Sequence, residues 1–401
     1  MLVRKVNKYN VLQCLFDNGP LSQEEIVLKT HLSRPTVLKI VKELLEDSVI
    51  IKSGYGEASG GREPMLLDVN ETGYYVAGVD FEYPKLHIGI MNLRNQPVAE
   101  AEYLFSDEES PENILEKLVQ MLDEIFRESG VGSDKLIGIG VGLPGIIDSE
   151  HGISRRIERI KNWENIAVKQ ILEDRYKIPV HIQNDVHMLA ALEKELRQDL
   201  SDDFIYVSVR SGIGMAVVLN GEIYSGLKGN AGFLGHMTVD INGPECVCGR
   251  KGCLEATAGQ RPLKRRYSKE SGEKLPHLDE IGDFYEFLYQ RAMGGDEIAD
   301  KLLMDAGVHL AYGIANVIKI LEIPTVVIEG ARPVIDDEKF QNVFAETLKS
   351  QLFENINEEI SVIPSKANNE MVVKACGNMV IKEFIKKNYT VSDEIDRTHL
   401  D

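Results

Sequence analysis

Between residues 7 and 17 the apolar positions Val11, Leu12, Leu15 and Phe16 recur at helical spacing, and Asn18-Gly19-Pro20 ends the run. The next periodic stretch opens with Ser22 and Glu25, the S-x-x-E pattern in which the two side chains cap each other's backbone amides, so a second helix of about eight residues is predicted. After a break at His31-Leu32, Ser33 reads as an N-cap and Pro35 lies in the first turn, where its missing N–H is tolerated. Val37, Ile40, Val41, Leu44 and Leu45 then form one apolar stripe. Beyond residue 48 two short strand-like runs flank a glycine-rich tip. Three helices, with a tight turn before the third, and a terminal β-ribbon predict a winged helix-turn-helix over residues 1–72.

From residue 73 the period shortens. "GYYVAGVDF", "KLHIGIMNL" and "PVAEAEYLF" predict three successive strands. A helix over 111–129 follows, with Ile114, Leu118, Met121, Leu122 and Ile125 inward, and then a buried strand, "KLIGIGVGLPG". A helix near 164–176, a strand "IPVHIQND" and a helix over 186–198 complete one α/β lobe, residues 73–195. A second set begins at "DFIYVSVR" and "GIGMAVVLNGEIYSG", continues through a long helix over 296–322 and reaches the strand "PTVVIEG". The repeated order, three strands and then alternating helix and strand, predicts two related α/β lobes with a cleft between them, the second spanning 196–401. Periodicity alone is equally compatible with other α/β arrangements.

Composition narrows the setting. No apolar run approaches the ~20 residues of a membrane-spanning helix, and "MLVRKVNKYNVLQ" lacks the apolar core of a secretory signal, so a cytoplasmic protein without a membrane partner is expected. The net charge of −19 argues against nucleic acid only if it is evenly spread. It is not: residues 1–70 hold nine Lys/Arg and nine Asp/Glu, so the whole deficit lies in the body. A neutral head with locally placed cations is compatible with double-stranded DNA.

In that head Ser33, Arg34, Pro35, Thr36 and Lys39 lie at or near the start of the third helix, where a recognition helix meets base edges and phosphates in the major groove. Gly60, Gly61 and Arg62 form the wing tip, and an arginine on flexible glycines can reach a narrow minor groove. The plain alternative is a small helical bundle for protein contact. The body carries a second concentration of chemistry. Three of the chain's five cysteines, Cys246, Cys248 and Cys253, fall within "ECVCGRKGC", and His236 lies ten residues upstream. Together they make a Cys3His donor set for a structural Zn2+, closed by four protein ligands. The alternative is three buried thiols that only pack.

The surrounding motifs resemble the ROK family of bacterial sugar kinases and sugar-responsive repressors. "GLKGNAGFLGHMTVD" followed by "CVCGRKGCLEATAG" is similar to its signature, and "GVGLPGIID", "PVHIQNDVHMLAALEKE" and "SGIGMAVVLNGEIYSG" resemble further blocks in the same order. The head is similar to the winged domain of the repressor branch. The resemblance implies a two-lobe actin-like (ribonuclease H-like) body, a structural zinc and a carbohydrate site in the cleft. It implies that Asn184 and Asp185 bind sugar hydroxyls, Asp185 matching the catalytic base of the kinases. It further implies that His236 contacts sugar while its other ring nitrogen holds zinc, and that Glu255 binds sugar hydroxyls.

Three departures from the family pattern shape the functional expectation. The kinases' Asp-x-Gly-Gly-Thr reads "DFEYP" at residues 80–84, with Glu82 and Tyr83 replacing the glycines that admit ATP phosphates. The second phosphate loop, Gly-Thr-Gly-Ile-Gly-x-Gly, reads "RSGIGMA". Phe233 replaces the sugar-binding glutamate of the Gly-Glu-x-Gly-His block. The expectation is therefore a non-enzymatic regulator of carbohydrate or polyol genes, a repressor by type. It binds operator DNA as a homodimer or homotetramer under control of a sugar, sugar derivative or polyol. The competing readings are an ATP-dependent sugar kinase with a fused DNA-binding domain and a binding protein that neither responds to sugar nor catalyses.

Overall fold

The computed structural model describes residues 2–57, 63–106, 109–197, 199–229, 231–278, 282–354, 359–368 and 371–389. The wing-tip residues Gly60, Gly61 and Arg62 lie outside them.

The head runs α1 (Leu2–Asn18), β1 (Leu21–Ser22), α2 (Gln23–Thr30), α3 (Arg34–Glu46), β2 (Ile50–Tyr55) and β3 (Met65–Val69). Its local signals operate as written in the sequence. Glu25 N donates to Ser22 Oγ at 3.3 Å while Ser22 N donates to Glu25 Oε2 at 2.7 Å, which fixes the start of α2. Ser33 Oγ accepts from Thr36 N at 3.4 Å and starts α3. The three strands form an antiparallel sheet in the order β1-β3-β2, the base of the wing.

The first lobe comprises β4 (Tyr75–Glu82), β5 (Lys85–Asn92), β6 (Pro97–Leu104), α4 (Pro111–Glu128), β7 (Leu136–Leu143), β8 (Ile146–Asp148), β9 (Ile153–Arg156), β10 (Glu164–Ile166), α5 (Val168–Tyr176), β11 (Val180–Asn184) and α6 (Asp185–Leu196). Its main sheet has the order β11-β7-β4-β5-β6, parallel on the β11 side and antiparallel through the hairpins. Two sequence boundaries shift. Residues 164–166 are not helical but pair with β9, so the helix near 164–176 begins only at Val168. The next helix starts at Asp185, because the Asn184 side chain accepts from the amides of Val186 and His187 and caps it there.

The second lobe contains β12 (Phe204–Val209), β13 (Ile213–Leu219), β14 (Glu222–Ile223), α7 (Leu254–Ala258), α8 (Gln260–Ser271), α9 (Phe284–Met293), α10 (Glu297–Leu321), β15 (Thr325–Glu329), α11 (Arg332–Ile335), α12 (Glu338–Ser350) and β16 (Ser361–Pro364). Its sheet order is β14-β13-β12-β15-β16, the same succession of hairpin and parallel strands as in the first lobe. α10 and its neighbours bury their apolar faces against this sheet.

The last helix, α13 (Val372–Tyr389), returns to the first lobe. Gly78 on β4 and Gly140 on β7 leave it room: a Cβ at either would lie 2.2 or 2.3 Å from the carbonyl oxygens of Val373 or Cys376. The helix therefore rests on bare strand backbone. Its other side meets the head, where Val380, Ile381 and Ile385 share one buried cluster with Val11, Leu12, Leu15 and Ile26. Arg94, just after β5, fastens the same junction by donating to Phe16 O at 3.0 Å and pairing with Asp68. α6 is tied to the α13 side through Glu193, fully buried, which accepts from the amides of Lys366 and Ala367. Among the described residues no helix is long and apolar enough to cross a membrane.

Candidate functional site

His236, Cys246, Cys248 and Cys253 converge at the edge of the cleft, with all four donor atoms within 4.8 Å of one another. Turns do this work. Gly252 takes φ +69°, and a Cβ there would strike the Asp240 carbonyl oxygen at 1.6 Å, so only glycine carries the chain back to Cys253. Cys248 Sγ lies 3.7 Å from Cys253 Sγ, and Cys246 Sγ lies 3.6 Å from His236 Nδ1. A tetrahedral ion with Zn–S near 2.3 Å and Zn–N near 2.0–2.1 Å has edges of about 3.8 and 3.6 Å, so the donor set fits a metal. Burial, reinforced by the neighbouring sulfurs, pushes the Cys253 thiol up to about 12.

The cleft beside this centre is lined from both lobes, by Asn184, Asp185, Arg159, Arg210, His236 and Glu255 among others. Asn184 and Asp185 stand at the junction of β11 and α6, and Glu255 lies in the first turn of α7. Nδ1 of His236 faces the sulfurs, so its ring is anchored on that side. All four sequence-predicted ligand residues thus line one cavity. Phe233 is 42 % exposed at the cavity wall, its ring centroid 6.3 Å from that of His236. It presents an apolar face where the family's pattern has a carboxylate.

Both acidic candidates already have partners. Glu255 Oε1 accepts from Arg159 at 3.0 Å and Oε2 from Ile213 N at 3.2 Å. Asp185 pairs with Arg210, which is 6 % exposed. Glu82 and Glu329 approach the same guanidinium at 3.8 and 3.9 Å, and Ser208 Oγ accepts from its Nε at 3.1 Å. Burial raises the Asp185 carboxyl above its ordinary value, and Arg210 opposes that shift. Burial also raises Glu329, to about 7. Asp80 is pushed up by burial and by Glu82, and its Oδ1 has no hydrogen-bond partner. Tyr83 is buried at the same wall, under the guanidinium of Arg261 at 4.8 Å from its ring centroid.

Arg159, Arg210, His187 and Glu329 are site residues that the sequence reading does not single out. Arg210 had a visible signal, a charge closing the buried run "FIYVSV" where the phosphate loop has glycine. The others carry no local signature. His187 is buried, donates from Nε2 to Ala231 O at 3.0 Å, and has its pKa lowered by desolvation.

On the head, Ser33, Arg34, Pro35 and Lys39 are exposed along the start of α3, with Arg34 paired to Glu24 at 3.4 Å. Thr36 is half-buried and its hydroxyl lies 2.8 Å from Ser33 Oγ, so it braces the cap.

Comparison with known proteins places these features together. The profile of the ROK family matches residues 76–382, and that of a winged helix-turn-helix DNA-binding domain matches residues 5–51. The chain is 27% identical over 392 residues to the xylose repressor of Bacillus subtilis (strain 168), covering 96% of this chain and 97% of that protein. A crystal structure of a ROK family transcriptional regulator, a homologue of the Escherichia coli MLC protein, superposes with a TM-score of 0.79 at 23% identity, covering 96% of this chain and 98% of that one. A ROK hexokinase from Thermus thermophilus matches 78% of this chain and 99% of its own, with a TM-score of 0.62 at 25% identity.

Proposed function

The chain belongs to the ROK family, and from that premise we propose that it is a DNA-binding transcriptional repressor whose cleft senses a small sugar, sugar derivative or polyol without phosphorylating it. The observation that carries this reading is the charged filling of the phosphate region: Arg210 and Glu82, each at a glycine position of the kinases, stand 3.8 Å apart. A triphosphate brought there meets Glu82 and the buried carboxylates around it, and Asp185, the residue matching the kinase base, is held by Arg210. The head supplies the other half of the reading, a capped helix with Arg34 and Lys39 exposed.

In this proposal Asn184, Asp185, His236 and Glu255 bind the effector's hydroxyls, an amide and carboxylates being suited to vicinal diols. His236 and the three cysteines hold a structural Zn2+, which when bound fixes the imidazole ring toward the cleft. Phe233 covers an apolar sugar face, so an effector with few polar substituents on that side is favoured; the B. subtilis relative makes D-xylose the first probe. Residues 1–72 read the operator, Ser33 to Lys39 in the major groove and Arg62 in the minor groove, on a head paired in at least a dimer, as two-fold operators require. Effector binding shifts the interlobe equilibrium, and α6 and α13 carry that change to α1. The setting is cytoplasmic.

The test is a thermal and operator-binding screen with D-xylose, D-glucose and xylitol. One of them should raise the thermal midpoint and change operator affinity at least about tenfold, the range of ordinary allosteric coupling. Mg·ATP should neither raise the midpoint nor yield ADP with any of them. Sustained ADP release would replace the regulator by the kinase, and tight operator binding indifferent to every sugar and polyol would remove the sensor.

A further inference from the structure

Arg210 joins the lobes at the floor of the cleft. It follows β12 in the second lobe, beside Ser208 and Glu329 of the same lobe, yet its guanidinium reaches Glu82 of the first lobe and Asp185 at the junction where β11 of the first lobe passes into α6, a helix packed on the second-lobe sheet. Its backbone is fixed as well, since Arg210 O accepts from Gln260 Nε2 at 3.0 Å and Arg210 N donates to Gly212 O at 2.9 Å. The pairing makes sense of two departures at once. Each phosphate loop, one from each lobe, has exchanged a glycine for a charged side chain, and the two charges are opposite and meet. Here a side-chain ion pair spans the gap between the two loops. The environment is buried and acidic, with Asp80, Glu82, Asp185 and Glu329 grouped around one guanidinium, so the fork of an arginine serves several carboxylates at once.

Resting on the effector reading above, we propose that Arg210 is the positioning residue of the sugar site: it latches the two lobes in the unliganded protein and holds the Asp185 carboxylate in one orientation for a sugar hydroxyl. The cleft is thereby preset for its effector with no nucleotide. Arg159 and Glu255 make a second, more peripheral link of the same kind. Asp185 touches the effector; Arg210 acts through it.

Two measurements on the full-length protein test this, one needing no ligand. The first uses nitroxide labels on unnatural side chains introduced at the exposed positions Glu128 of the first lobe and Glu346 of the second. Pulsed dipolar spectroscopy on the unliganded parent should give one narrow distance distribution. Arg210→Lys keeps the charge but loses the fork, and Glu82→Gln removes one first-lobe partner. Both should give a broader distribution with a longer mean, and Arg210→Met a broader one still if it folds. The second is titration with D-xylose, D-glucose and xylitol. Arg210→Lys should weaken the sugar that the parent binds by at least about tenfold in a variant that still unfolds in one cooperative transition. Unchanged distance distributions in Arg210→Lys and Glu82→Gln would overturn the latch, and unchanged affinity in Arg210→Lys would overturn the positioning role. A parent that binds none of the three sugars removes the effector reading and the positioning role with it, while the distance measurement still decides the latch.

Discussion

Stripping the metal is expected to unfold the loop over residues 238–253 and to abolish effector binding. This loop has almost no core of its own. Its internal ladder consists of the bridges Thr238–Cys253 and Glu245–Lys251, and Ile241 and Val247 are 82 % and 58 % exposed. Turn hydrogen bonds such as Cys246 N to Arg250 O at 2.7 Å and the packing of Val239 on the second-lobe core help hold it, but the four-donor centre is the strongest tie available, since apparent binding energies for structural zinc in small peptides reach about 10–16 kcal/mol. Here the second lobe is already folded around the loop, so a loss of several kcal/mol is expected, still a large share of the 5–15 kcal/mol of a typical domain. Metal analysis of freshly purified protein should give about one zinc per chain, and Cys248→Ser should lower both that content and the thermal midpoint. The effector should suffer most, because the ring of His236 would lose the anchor at Nδ1. Operator binding by the distant head should suffer less. Protein that holds no zinc, or a Cys248→Ser variant with parental stability and sugar affinity, would leave the cysteines as packing residues.

The second large effect is expected at Arg34. Its side chain is 70 % exposed and contacts Glu24, itself 75 % exposed, at 3.4 Å, an ion pair of little worth to the fold. Arg34→Ala should therefore leave the thermal midpoint within about a degree or two while costing on the order of 1–3 kcal/mol of operator affinity and relaxing base preference at one position. Lys39→Ala should behave differently, weakening cognate and scrambled DNA alike and flattening the dependence on salt. Titrations at two salt concentrations with both DNAs separate these patterns. Parental affinity in both variants would mean that α3 does not read DNA.

The head shows what a sequence can disclose. Ser22, Glu25 and Ser33 act on amides three residues away, so their roles can be read from neighbours alone. The metal centre is nearly as local, with three sulfurs in one turn-rich loop and a histidine close by. The first strand of the "WENIAVKQ" stretch was not legible, because Glu164 and Ile166 owe their strand state to Arg156 and Ser154 on β9, a partner that apolar spacing cannot name. Arg210 illustrates the harder case. Its replacement of glycine is visible, but its partners come from positions 82, 185 and 329, which only the folded lobes bring together. A bulky side chain at a glycine position says that the loop backbone cannot close on phosphate as the family's does; it does not say that the arginine has carboxylate partners across the cleft.

The seat of α13 also bears on how the protein is made. A ribosome delivers the head first, but Val380, Ile381 and Ile385, which close its buried cluster, come some three hundred residues later. At about 5–20 residues per second that delay is roughly 15–60 s. A nascent or prematurely terminated chain thus carries α3 without the apolar cover of α1. If α3 reads DNA as proposed, such a chain is expected to compete poorly for operator sites until those residues have been translated.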